Sequence, residues 1–191
     1  MANMASVAYA IEGSEESLKT ILEVVNEACK DKKHWTEWTA CRLLGFPESE
    51  LRNHYLGGEI DEGGEIIDGV LRLWAEERWG LQDFHRLLKQ KFPDIKVYWK
   101  VQEEGNEVYC KNDVEGKYFP ERYWVDTAQD DEYQSEYFET LEEAYKWLDR
   151  ITNGRVKCAE DVEKFNSDYE DSGDDLENFI YIHEFEIEDD N

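Results

Sequence analysis

Apolar positions along the chain switch between two periods, and the switches mark the elements. Val7, Tyr9 and Ile11 alternate with smaller residues across 5–12, the period of a half-buried strand. Gly13-Ser14 closes that strand and caps a helix, in which Leu18, Ile21, Leu22, Val25, Ala28 and Cys29 recur at three- and four-residue steps. Trp35, Trp38, Leu43 and Leu44 predict a short helix or an irregular packed segment, and Pro47 opens another short helix that Gly57 closes. Asp68-Gly69 lies between the apolar runs Ile66-Ile67 and Val70 to Trp74. This dipeptide most readily takes the paired positive φ angles of a type I′ turn, so a hairpin is expected there.

Leu81, Phe84, Leu87, Leu88 and Phe92 predict a helix over 81–92 that Pro93 stops, and Ile95, Val97, Trp99 and Val101 predict a strand over 95–103. Two further strands are expected at 107–112 and 119–126, extending the sheet as a hairpin. Thr140-Leu141-Glu142-Glu143 is a capping box that opens a helix ending at Asn153-Gly154. A short helix is expected near 159–166, and Phe179, Tyr181, His183, Phe185 and Ile187 alternate as a strand does.

This order gives an α+β fold. Its first part runs β-α-β-β-α-β, the order of a ferredoxin-like antiparallel sandwich, and a C-terminal hairpin, helix and acidic extension follow. The expected organisation is a core at 1–104, an extension of the same domain at 105–154, and an acidic segment at 155–191.

Charge changes the picture most. The 191 residues carry 47 Asp and Glu against 21 Lys and Arg, a net charge of −26. Residues 157–191 alone hold fourteen acids and two lysines. Such a surface repels phosphate backbones and anionic headgroups, so neither nucleic acid nor membrane is an expected partner; basic proteins are. Aromatic residues make up 14% of the chain, far too many for a disordered polypeptide. Cys29, Cys41, Cys110 and Cys158 are widely spaced with no C-x-x-C, which predicts free thiols in a reducing, cytoplasmic compartment. Glu12 breaks the one early apolar run, so no leader or membrane span is expected.

The segment from Leu71 to Leu148 resembles the YubB-like ferredoxin-like domain proteins, a family of unestablished function. The likeness is carried by a strand running from Leu73 into Trp79-Gly80 and a helix ending Lys91-Phe92-Pro93. Next come Glu103-Glu104-Gly105, Val108-Tyr109, and Tyr137-Phe138 ahead of the capped helix. Taken with the flanking elements, the resemblance spans residues 5–152. Where that family has Ser-Pro-Pro after the Trp, this chain has Gly80-Leu81-Gln82. The resemblance implies a fold and carries no catalytic residue across.

No motif names a reaction or a cofactor. Asp168 to Asp174 resembles the front of a calcium loop, but Phe179 stands where the bidentate Glu is required. His34, His54, His85 and His183 share no zinc spacing with the cysteines. Gly57-Gly58 and Gly63-Gly64 lack the basic residue of a phosphate loop, and no G-x-S-x-G elbow is present. Tyr98, Tyr109 and Tyr123 are candidates for an exposed aromatic face, without the basic motif of an RNA-binding sheet. Paired acids for hydrolysis cannot be singled out among 47 carboxylates.

The leading expectation is a non-enzymatic acidic interaction module, in its sharper form a decoy for a basic or DNA-binding partner. Its expected contact residues are Asp168, Glu170, Asp171, Asp174, Asp175, Glu177, Glu184 and Glu186. The alternative is a hydrolase or transferase that uses surface carboxylates with a divalent metal.

Overall fold

A computed structural model describes residues 3–170 and 177–188, and it divides the chain into two compact units. The first comprises residues 1–114 with 187–191, and the second 115–186.

Unit 1 is a mixed α and β layer structure. Strand β1 (Met4–Glu12) lies at the centre of its sheet. Helices α1 (Glu15–Ala28), α2 (Thr36–Leu43) and α3 (Glu48–Leu51) follow. Then come β2 (Gly58–Ile60), β3 (Glu65–Ile67), β4 (Val70–Arg78), α4 (Phe84–Lys91), β5 (Lys96–Glu103) and β6 (Val108–Lys111). The strand order is β6-β5-β1-β4-β2, with β3 also on β4, and these strands pair antiparallel.

Ser14 caps α1 by accepting the Ser17 N–H, and Leu18, Ile21 and Val25 bury its apolar face. Those side chains pack with Val7, Tyr9, Ile11, Leu71, Leu73, Phe84, Leu87, Leu88, Val97 and Trp99 into one core. The Asp68-Gly69 turn takes positive φ at both residues (50° and 78°), as the β3–β4 hairpin requires.

The predicted helix at 81–92 begins only at Phe84. The Gln82 N–H is diverted to the Glu77 carboxylate, and the Asp83 N–H donates to the Tyr55 carbonyl at 2.9 Å.

Unit 2 contains β7 (Tyr123–Gln129), β8 (Glu132–Phe138), α5 (Leu141–Ile151), α6 (Ala159–Glu170) and β9 (Phe179–Glu184). Its sheet runs β8-β7-β9, all antiparallel. The capping box forms as read, with the Glu143 N–H on the Thr140 hydroxyl and the Glu143 carboxylate on the Thr140 N–H. Val125, Ala144, Leu148, Val156, Phe165 and Ile180 form a separate core. Beyond β9, β10 (Glu186–Ile187) returns to the β6 edge, where the Glu188 N–H donates to the Lys111 carbonyl at 2.9 Å.

Two expectations are corrected. Residues 105–154 do not extend one sheet: β6 joins the sheet of unit 1, whereas β7 finds its partners in β8 and β9. The chain divides at 114/115, within the stretch expected to extend the first domain, and residues 115–186 bury a core of their own. No helix among the described residues is long and apolar enough to cross a membrane.

Candidate functional site

The inward face of β4 reads Leu71, Leu73, Ala75, Glu77, so strict alternation carries a glutamate to a core position. On α2, Glu37 shares a face with Ala40, Cys41 and Leu44, at helical steps of three, four and seven. Both glutamates have no exposed surface (0%), and each carboxyl group acts on the ionisation of the other.

The pair is asymmetric. Glu77 receives the Tyr9 hydroxyl on Oε1 and the Gln82 N–H on Oε2. Glu37 receives only the Gly58 N–H, at 2.9 Å on Oε2, and no donor reaches its buried Oε1. Burial raises Glu37 well above the ordinary carboxyl range, and the neighbouring Glu77 charge raises it further. Burial also raises Glu77, against the pull of its two donors. Two facing carboxylates cannot both ionise in a dry interior, so the pair holds one proton. The donor count favours Glu37 as its holder. Gly58 has to be glycine, because a Cβ there would lie 2.5 Å from the Glu37 carboxyl carbon.

Residues close to the pair in sequence reach the surface. Trp38 follows Glu37, Arg78 follows Glu77, and Gln82 is tied to the pair by its backbone. These three, with Trp35, His54, Tyr55, Leu56, Gly57 and Trp79, line a pocket of about 360 Å³. Tyr55, Trp79 and Trp35 are 79%, 58% and 37% exposed. Trp79 stands at φ +68°, a left-handed conformation that is rare for a bulky side chain, and Gly80 follows at +117°. The Trp79 N–H is held by the Asn3 carbonyl at 3.0 Å. Arg78 places its guanidinium 5.9 Å from the Trp35 ring centroid. Asp83 braces the rim, accepting the Tyr55 N–H at 2.9 Å and pairing with His54 at 3.4 Å and Arg86 at 3.1 Å.

Unit 2 distributes the sequence-predicted contact residues differently. Asp168 is exposed on α6. Glu177 accepts the Tyr133 hydroxyl, and its N–H donates to Asp131 at 2.7 Å. Glu184 pairs with Arg122 at 2.8 Å, and Glu186 is exposed. Glu170 ends α6, while Asp171, Asp174 and Asp175 lie outside the described residues. The strand expected from Phe179, Tyr181 and His183 forms as β9, which pairs with β7 as the outer strand of the sheet.

Tyr109 is buried, and Tyr98 and Tyr123 are half-buried. Among the described residues, no group of three or more His, Cys, Asp or Glu side chains is placed to hold a metal ion.

Glu37, Glu77 and the pocket were missed from sequence although the alternation along β4 marks Glu77 inward. A Trp at positive φ leaves no mark except the glycine after it. No family model, curated protein or solved structure matches this chain.

Proposed function

We propose that this chain is a non-enzymatic interaction module, whose acidic surface attracts a basic protein and whose aromatic pocket anchors it. The observation that carries this reading is the exposed Trp35–Tyr55–Trp79 cluster, one member of which is held at a strained φ. Tyr and Trp dominate binding energy at protein interfaces, and strain in a bulky residue is retained where the fold uses it. The net charge of −26 supplies long-range attraction for a cationic partner.

The alternative of carboxylate catalysis has no support from the glutamate pair, because neither side chain has surface from which to reach a substrate. A cytoplasmic setting suits the four free thiols. We further infer that unit 1 is a ferredoxin-like sandwich of the YubB-like kind. Supporting this are the central β1 between β4 and β5, the split β2/β3 edge, and the Trp79-Gly80 turn.

The test is a pull-down with the full chain as bait at low and moderate salt. The reading expects a basic protein that is lost from the Trp79→Ala bait. Recovery of no basic protein at either salt would overturn it. A partner that stays bound in high salt would remove the decoy version.

A further inference from the structure

The pocket's chemistry narrows what it takes. Its walls are the rings of Trp35, Trp38, Tyr55 and Trp79, whose faces attract cations. No carboxylate among its lining residues offers a direct ion pair: Glu37 and Glu77 are sealed beneath it, and Asp83, outside the lining, is already engaged by His54, Arg86 and the Tyr55 N–H. A strongly hydrated cation such as a lysine ammonium would lose water there and gain no charge partner. A guanidinium is weakly hydrated and planar, and it stacks on aromatic rings.

The protein already makes this contact once, with Arg78 over Trp35. The net charge of −26 draws an incoming cation toward the chain despite Arg78.

We propose that the pocket is a receptor for an arginine side chain of the basic partner, stacked among Trp79, Tyr55 and Trp35. This assignment rests on the module reading above and deepens it. Arg78 is then an internal competitor, a like charge on one of the rings the ligand needs. Trp79 contributes through its exposed face, and the Glu37–Glu77 pair acts only by holding the backbone of Gly58 and Gln82.

The experiment titrates the full chain with octa-arginine and with octa-lysine, equal in charge, and follows tryptophan fluorescence and calorimetry. Electrostatic attraction alone binds both equally. The pocket adds a preference for arginine of about tenfold, within the range of a partly desolvated cation–π contact. Trp79→Ala is expected to abolish the preference and leave the salt-dependent binding common to both peptides. Arg78→Gln is expected to increase the preference, which keeps the test decisive should Trp79→Ala fold poorly.

Equal binding of the two peptides by the wild-type chain overturns the arginine assignment and leaves the acidic module standing. Absence of binding of either at low salt overturns the module reading. Stronger binding of tetramethylammonium or a neutral sugar than of methylguanidinium, measured at the same pocket, overturns the choice of ligand.

Discussion

Replacing Glu37 by Gln perturbs the buried pair while preserving its shape. In the native chain the pair carries a proton at pH values where the unfolded glutamate, with its ordinary value of 4.5, has lost it. The folded state then binds one proton more than the unfolded state. The stability this proton contributes is complete below 4.5 and declines as pH rises, until the folded group itself titrates. The slope approaches about 1.4 kcal/mol per pH unit for as long as the folded pair keeps its proton.

A glutamine at 37 keeps an oxygen for the Gly58 N–H and turns an amide N–H toward Glu77, which stays ionised against Tyr9 and Gln82. Its second amide hydrogen lacks an acceptor, a cost of about 1 kcal/mol that does not vary with pH. Urea unfolding of both proteins at pH 5, 6, 7 and 8 separates the two contributions. Self-repulsion from the net charge of −26 also depends on pH, but it cancels to first order in the difference between the proteins. The expected result is a stability gain of Glu37→Gln over wild type that grows with pH, by up to about tenfold in the folding constant per pH unit while the folded pair keeps its proton. Parallel stability curves would show that Glu37 is ionised in the folded chain, and the shared-proton account would fail.

Trp79→Gly should raise stability by about 1 kcal/mol, seen as a higher urea midpoint, because glycine accepts φ +68° without the penalty an L side chain meets; the same variant should lose the arginine preference. Gly58→Ala should cost about 1–3 kcal/mol, since its Cβ would overlap the Glu37 carboxyl, and a double-mutant cycle with Glu37→Ala should recover much of that loss. Tyr9→Phe removes one of the two donors to Glu77 and should destabilise by about 1–3 kcal/mol, with a larger effect at pH 8 than at pH 5 in denaturant titrations, because the hydroxyl serves the ionised carboxylate.

Much of unit 1 was legible because its elements bury one face each. The alternation in β1 and β5, the helical spacing in α1 and the Asp68-Gly69 turn all appear where the pattern put them. The capping box at Thr140 located α5 for the same kind of local reason.

Unit 2 was less legible. Six of the seven residues of β8 are exposed, so Glu132, Tyr133, Gln134, Ser135 and Glu136 carry no apolar alternation to announce a strand. Without β8, the β7 hairpin had no partner except the larger sheet, and the boundary at 114/115 stayed hidden. β2 is three residues long, too short for a period to register. The candidate site was hidden for a different reason. Forty-seven acids make any single glutamate unremarkable until packing shows Glu37 and Glu77 buried beside each other in the core.

The seven tryptophans offer the most direct measurement of where a partner sits. Each gives one indole N–H resonance in a nitrogen-15 spectrum, and assignment by single substitution identifies them. On titration with octa-arginine, the account predicts saturable shifts at Trp35, Trp38 and Trp79, with Trp74, Trp99, Trp124 and Trp147 unmoved. Shifts confined to Trp124 and Trp147 would place binding on unit 2 and contradict the assignment of the pocket.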